Sequence, residues 1–544
     1  MSASQVNEVI DAFKLRGFAF AGKASSGRFL LHGHLTSPSN QDIPCELQLD
    51  PELFALPRII LLELPKELSG STVPHLNGQG ELCYIATGTV VLDIFNPVSQ
   101  SLACLDRAQQ VLTQIMRGEM VHDLAEEFFA YWGGDGWCIS DIQGNRFGKM
   151  NCTVEERKDG KDVWTVTDEP DRMIKKLTVM GFRTLTSQAS CVRIKTNVQP
   201  RPLEGSWPPK FVRDVLDWQS TLDAGCRRKI HRSIYAAEAS KANRLLVIIE
   251  SPLMAYAFGV FFDRAERAAP KRLSDRRDPT YQLRIKPLSL LRIDDRYLAE
   301  RNTPKRRTFA GKKIALVGCG TIGGYMADMF VKAGAGTSGG ELTLIDPDLF
   351  LPQNVGRHRL GFPSLLGNKA TALAAELQRL APGALLAAVP RDVRTEHLEH
   401  LDLLIDATGE EALGHWLSAR YRDSTDILTV WIEGPGTAVR ALLAKQCTSP
   451  CYRCVWHHTR EGAFPSVKGE LPTTLAGQGC EGLYVPFPAT VSVQAASLGT
   501  ELAIDWVNGV FSPSFRTRVT DQAFELATAD CDLPAHERCS VCHS

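Results

Sequence analysis

Three glycines at fixed spacing constrain this chain more than any other feature in it. Gly318, Gly320 and Gly323 form a Gly-x-Gly-x-x-Gly array directly after the apolar run 314–317, which has strand character. Beyond the array, Tyr325, Met326, Met329, Phe330 and Val331 recur at helical spacing until Gly334 and Gly336. A second strand at 341–345 then delivers Asp346. Strand, glycine turn, helix, strand and acid follow in the order a nucleotide-binding βαβ unit requires. The glycines let backbone N–H groups approach a phosphate at the positive end of the helix, and Asp346 can accept from a ribose hydroxyl.

A chain of 544 residues implies about three domains, because single cores stop growing near ~250–300 residues. Its 44% hydrophobic and 23% charged residues are those of an ordinary globular protein. The net charge of -1 excludes any bulk-charge argument for nucleic acid or an anionic membrane. No apolar run reaches the ~18 residues of a spanning helix. The N-terminal MSASQVNEVIDAF lacks a signal-peptide pattern. Fifteen cysteines, an odd number without an export signal, read as reduced thiols of a cytoplasmic protein, some used for metal or chemistry.

In residues 1–150, Ser4 is positioned to cap a helix in which Val6, Val9, Ile10 and Phe13 share a face. Strand-like runs at 28–35, 43–49 and 58–64, separated by turn residues, suggest an antiparallel meander, and 102–116 reads as helix. Between them lies Cys83. A lone cysteine is ordinarily a small buried hydrophobe. Here, however, His75, Asn77, Gly78 and Gly80 make a polar turn before the thiol. The stretch resembles the active site of ubiquitin-conjugating (E2-type) enzymes, with their His-Pro-Asn turn, glycine and catalytic cysteine. That resemblance implies a thioester on Cys83 and an oxyanion steadied by Asn77, while His75 is expected to be structural. It departs from the pattern at Leu76, which replaces the proline, and in a shorter gap from His75 to Cys83.

Residues 151–289 carry no motif. Strands are expected at 245–250 and 256–262, and a helix at 210–222 with Phe211, Val215 and Trp218 on one face. The charged stretch 269–279 reads as an exposed loop. His231, Cys191 and Cys226 have no partner at ligand spacing and are expected to be structural. The region reads as a scaffold.

Past Asp346, a hydride-transferring enzyme has no need of Asn354, Arg357 and Lys369. An enzyme that activates a carboxylate with ATP does: the two cations would neutralise the triphosphate and the leaving pyrophosphate. Asp406 ends an apolar strand, at the edge where doubly wound sheets bind ligands, and suits a magnesium ion. Cys451-x-x-Cys454 and Cys539-x-x-Cys542 supply four thiolates for a closed tetrahedral zinc site, with His457 and His543 near but unnecessary. Cys480 lies in a loop flanked by Gly477, Gly479 and Gly482, which suits a thiol that must swing; Cys319 reads as packing. Together these features resemble the adenylation domain of ubiquitin-activating (E1-type) enzymes, including bacterial activators of sulfur-carrier proteins. That resemblance assigns Cys480 as the catalytic cysteine. It also implies a homodimer in which an arginine before the glycine strand, Arg292 ahead of Arg296 and Arg301, reaches the partner's ATP.

The whole is therefore expected to be an α/β and α+β multidomain protein. Residues 1–150 would form a conjugating-enzyme-like α+β domain, 151–289 an α+β linker domain, and 290–544 a doubly wound Rossmann-like adenylation domain with a zinc staple. The order resembles the E2–E1 fusions encoded beside cyclic-oligonucleotide synthases in bacterial antiviral (CBASS) operons. The resemblance implies that ATP and magnesium adenylate the flexible C-terminus of a protein, such as that synthase. The acyl group would pass to Cys480, then Cys83, then a target amine. Two rivals stand beside it: a sulfur-carrier adenylyltransferase, which leaves Cys83 idle, and an NAD-dependent oxidoreductase on the same βαβ unit.

Overall fold

The computed structural model describes every residue except 1–2, 67, 69–72, 78, 86–89, 91–92, 94, 121–122, 124–127, 133–135, 156–161, 183–186, 203–206, 263–277, 474–483 and 544. Two compact units emerge. One comprises Met1–Ile139, Arg146–Val166 and Thr186–Leu291; the other comprises Ser140–Asn145, Thr167–Leu185 and Arg292–Ser544.

The first unit opens with a helix, Ala3–Leu15, whose Val6, Val9, Ile10 and Phe13 are buried as their spacing predicts. Ser4 falls within the helix span. An antiparallel meander follows: β1 (Ala19–Lys23), β2 (Phe29–Thr36), β3 (Asp42–Leu49) and β4 (Arg58–Leu61). The sequence gives no warning of β1, because this edge strand is almost wholly exposed and carries no alternation. Conversely, β4 stops at Leu61, and Leu62 and Leu64 are exposed. The helix Pro97–Met116 packs on the first helix, closing a core with Leu31, Leu47, Ile59, Leu76 and Leu82.

A second sheet of this unit is larger. Its strands are β5 (Gly136–Asp141), β6 (Gly148–Lys149), β7 (Asn151–Glu155), β8 (Asp162–Thr167), β9 (Ser187–Lys195), β10 (Arg244–Glu250), β11 (Ala255–Phe261) and β12 (Ile285–Arg292). They run β10-β11-β12-β5-β8-β7-β9-β6, and β9 also pairs with β10, so the order returns on itself. Helices Val212–Leu222 and Ala224–Ala239 bury Val215, Trp218, Cys226 and Ile230 with Phe128 and Trp132. Cys191 is buried, and His231 lies 3.3 Å from the Tyr281 hydroxyl. Most of the charged stretch 269–279 lies outside the described residues. Its Asp278 is no solvated charge: it is 3% exposed and caps Pro279–Gln282 by accepting from Thr280 N–H.

The second unit holds a seven-stranded sheet in the order β15-β14-β13-β16-β17-β18-β19. Here β13 is Lys313–Val317, β14 Glu341–Ile345, β15 Leu386–Val389, β16 Leu403–Asp406, β17 Asp426–Glu433, β18 Ala438–Ala444 and β19 Phe515–Val519. The first five are parallel and the last two antiparallel. Chain order reverses between β13 and β16, which makes a crevice at the carboxyl edge of the sheet. Ala489–Val507 presents Ala495, Ala496, Gly499 and Ala503 to the sheet. A methyl at Gly499 would come within 2.6 Å of Val430 and 2.9 Å of Met326, so only glycine permits that approach. Segments from the motif-free middle region join this unit through buried charge. Lys176 bridges Asp141 (2.8 Å) and Asp295 (2.7 Å), and Arg172 also binds Asp141 (2.8 Å). Removing one partner of such a buried pair typically costs about 3–5 kcal/mol. Sequence reading misses the cluster because its members lie far apart along the chain.

The glycine turn generates the first prediction. Gly318 sits at φ +88°, and a methyl there would come within 2.8 Å of Thr408. A methyl on Gly323 would overlap the Gly318 carbonyl oxygen, whereas one on Gly320 would meet nothing within 4 Å. Gly323→Ala is therefore expected to lower stability by at least about 2 kcal/mol in thermal unfolding. Gly320→Ala should melt like the wild type but bind ATP more weakly in titration, because its methyl projects where a phosphate must approach.

Candidate functional site

The crevice at the switch point is a cavity of about 800 Å³. Gly318 and Gly320 form its floor, and the helix Thr321–Lys332 points its N-terminus into it. Asp346, Asp348 and Lys369 line one side, and Thr408 and Glu410 another. Asp346 is 5% exposed and accepts from the Cys319 and Asp348 N–H groups, each at 2.8 Å, while burial pushes its carboxyl above the ordinary value. The acid at the end of β14 therefore ties the glycine turn to the sheet. Cys319, fully buried, packs beneath it, and burial raises its thiol well above the usual range.

Lys369 starts the helix Lys369–Leu380 and donates to Asp348 at 2.8 Å. Asp348 is about two-thirds exposed, and such a pair is worth about 0–1 kcal/mol, so an entering phosphate can displace it. Arg357 does not line the cavity. Its guanidinium donates to the Val485 carbonyl at 2.9 Å and lies over the Phe487 ring at 4.3 Å; both of those residues do line it. Desolvation lowers the Arg357 pKa, although the charge persists. Asn354 is also outside the lining: its side-chain oxygen accepts from Leu351 N–H at 2.9 Å and caps the short helix Pro352–Asn354. Asp406 ends β16 but is only 2% exposed. It accepts from the Thr408 N–H (3.1 Å) and hydroxyl (2.7 Å), and burial pushes its carboxyl up to about 6. Arg292 holds Asp294 through two bonds of 2.8 and 2.9 Å and lies 4.4 Å from the Tyr297 ring.

Several contributors had no motif to betray them. His358 donates from Nε2 to the Cys319 carbonyl (2.8 Å) and accepts at Nδ1 from Leu360, buttressing the glycine turn. Burial holds it neutral, with its pKa down at about 4. Asp392 and Arg394, paired at 3.0 Å, line the cavity beyond β15. The rule that ligands gather at carboxyl ends of parallel strands was the one signal available for them.

In the first unit, Cys83 is exposed, beside a turn built by Asn77. The Asn77 amide oxygen accepts from the Gln79 (2.9 Å) and Glu81 (3.0 Å) N–H groups, and its nitrogen donates to the Glu81 carboxylate at 3.2 Å. Cys480 lies outside the described residues.

The four knuckle cysteines converge. Cys451, Cys454, Cys539 and Cys542 place their sulfurs within 4.8 Å of one another, with three of the edges at 3.5–3.6 Å. A tetrahedral zinc with sulfur at ~2.3 Å has edges of about 3.8 Å, so the cluster fits zinc. A thiol hydrogen bond from Cys451 holds Cys454 down at about 4, and the His536 N–H also donates to it at 3.4 Å. His457 stacks on His536 at 4.7 Å instead of completing the set. The metal would join segments 88 residues apart in the chain, a structural role. Among the described residues no helix is long and apolar enough to cross a membrane.

A switch-point cavity with a glycine turn and a lysine at a helix N-terminus, carried in one chain with an exposed cysteine on a small α+β module, defines an ATP-dependent activating and conjugating enzyme. Residues 296–540 match the ThiF family, which implies ATP, and residues 23–135 match the prokaryotic E2 family B. The chain is 58% identical over 545 residues, and 100% of both chains, to an ATP-dependent ubiquitin transferase-like protein Cap2 of Pseudomonas aeruginosa (strain BWHPSA011 / Pa011). A protein of the same description from Escherichia coli (strain TW11681) is 24% identical over 91% of this chain and 90% of that one. The chain belongs to this Cap2 family of ATP-dependent ubiquitin-like transferases. Among solved structures, E. coli MccB with ATP aligns over 42% of this chain and 66% of that one, at 17% identity and a TM-score of 0.32.

Two outcomes follow from the site. Asp406 holds its proton more tightly folded (about 6) than unfolded (3.8), so ionising it in the native state opposes folding. Its contribution is intact below the unfolded value and lost as pH rises through about 6, on the order of 3 kcal/mol. Asp406→Asn should therefore raise the melting temperature near pH 8 and leave it unchanged near pH 3. Metal analysis should return one zinc per chain, and a strong chelator should lower the melting temperature; Cys539→Ser should reproduce that loss without chelator.

Proposed function

We propose that this enzyme activates the C-terminal carboxylate of a protein partner and relays it through two cysteines to an amine. In the cavity, the carboxylate oxygen attacks the α-phosphorus of ATP and pyrophosphate leaves. The glycine-turn N–H groups and Lys369 hold the phosphates, Asp346 takes the ribose, and Arg357 supports the wall through Val485 and Phe487. Asp406 is the proposed magnesium ligand, and binding a dication would offset the cost of ionising it. Cys480 displaces AMP, Cys83 receives the acyl group by thioester exchange, and a target amine resolves it, releasing the Cys83 thiolate. Exchange between thioesters is nearly isoenergetic, so pyrophosphate release drives the sequence.

We assign 1–150 to conjugation, 151–289 to linkage and 290–544 to adenylation. The active form is proposed to be a homodimer through the adenylation domain, with Arg292 reaching the partner's ATP. Resemblance to the CBASS fusions points to a cyclic-oligonucleotide synthase as the activated protein. The observation that supports the reading most is the presence, in one chain of this family, of an ATP-type cavity and an exposed thiol on a separate module.

Incubating the chain with such a synthase, ATP and magnesium is expected to yield thiol-labile adducts at both cysteines. Cys83→Ala should keep the Cys480 adduct and lose conjugation, while Cys480→Ala should lose both adducts. Lys369→Ala should slow ATP–pyrophosphate exchange by about 10²–10³-fold. Persistence of conjugation in Cys83→Ala would sink the relay.

A further inference from the structure

What seals Asp406 from water is visible at its second oxygen. Oδ1 takes both bonds from Thr408, the N–H at 3.1 Å and the hydroxyl at 2.7 Å. Oδ2 lies toward Gly414, in the helix Glu411–Tyr421. A methyl on that glycine would come within 3.1 Å of Oδ2 and within 2.8 and 2.9 Å of two ring carbons of Tyr452. The carboxylate and the ring therefore crowd the same point, which Gly414 leaves clear. Glycine inside a helix is less stable than alanine, and here the missing side chain is what admits the ring. Burial, and then the charge of Asp406 itself, push the Tyr452 phenol above its ordinary value, as that proximity requires.

Tyr452 is itself held firmly. It opens the helix Tyr452–Arg460, and the residue before it and the one two places after it, Cys451 and Cys454, belong to the four-cysteine cluster. Its ring meets Trp431 at 5.3 Å and His415 at 5.7 Å between centroids, both edge to face. Trp431 in turn donates to Glu433 at 3.2 Å, and the buried Arg440 donates to the same carboxylate at 3.0 Å. The metal knuckle and the end of β17 thus fix a ring beside the acid that ends β16.

We infer that Tyr452 is a positioning residue for Asp406: its ring keeps the carboxylate dry and in one orientation for the dication that accompanies ATP. This rests on Asp406 being the magnesium ligand; one carboxylate beside a phosphate-binding turn is a donor set that magnesium takes. A carboxylate attracts a dication more strongly where water is excluded. Groups that stand behind a metal ligand typically change metal affinity about 10–100-fold. Exclusion of water is a property of the ring and not of the hydroxyl, so phenylalanine should serve as well as tyrosine.

The test needs no protein partner. ATP is titrated by calorimetry into the full-length chain with and without added magnesium, with thermal melts as a control, and the quantity read is the ratio of the two affinities. Wild type is expected to bind ATP more tightly with magnesium, and Asp406→Asn should lose that advantage. Tyr452→Ala should cut the advantage at least about tenfold while leaving the magnesium-free affinity unchanged. Tyr452→Gln, which fills the space with polar atoms and guards against a collapse particular to the smaller residue, should do the same. Tyr452→Phe keeps the ring and should keep the advantage. If the alanine and glutamine variants weaken ATP equally with and without magnesium, or not at all, the inference is overturned. Loss of the advantage in Tyr452→Phe overturns it as well. Failure of the magnesium reading itself would show differently, as an advantage that survives in Asp406→Asn.

Discussion

One buried carboxylate holds the adenylation unit in working order. Asp346 closes the end of β14 and accepts from the backbone on both sides, at Cys319 inside the glycine turn and at Asp348 leading toward Lys369. The turn can approach it only because Gly318 adopts a left-handed conformation and Gly323 has no side chain to strike the Gly318 carbonyl. His358, kept neutral by burial, holds the Cys319 carbonyl from the other side. Those contacts orient the helix N-terminus, and with it the positive end of the dipole, into the cavity. The sheet supplies the location, and this group of contacts supplies the pocket's shape.

Charge in the second unit is placed where it can be exchanged or where it cannot. Lys369 and Asp348 form a partly wet pair that a phosphate can open at little cost. Lys176, Asp141 and Asp295 are dry and mutually dependent, so they act as a fastener for segments that sequence order would place in another domain. Asp406 stands between these cases: buried and held by Thr408, it is carried at a cost that a bound dication would relieve. The four-cysteine cluster applies the same logic to the tail, drawing the C-terminal residues onto the helix Tyr452–Arg460.

Legibility followed the distance over which each signal acts. The βαβ unit was readable to within a residue or two, because apolar periodicity and a glycine spacing are properties of adjacent residues. The four-cysteine cluster was readable because each Cys-x-x-Cys pair is local, even though the two pairs meet across 88 residues. Edge strand β1 was not, having no buried face to impose alternation. Asn354 and Arg357 were placed by residue type on the phosphates; in the folded chain one caps its own helix and the other braces the cavity wall.

The linear order of residues thus settled which chemistry is present: a glycine turn, an acid after the second strand, two thiol knuckles, and a cysteine after a polar turn. Those are short-range patterns, and covalent neighbours enforce them. Folding settled which groups face each other and in what state of charge. That Asp346 would tie the glycine turn to the sheet and that Asp406 would be sealed from water depended on sheet order and strand register. Both are set by long-range burial, which no local window of residues contains.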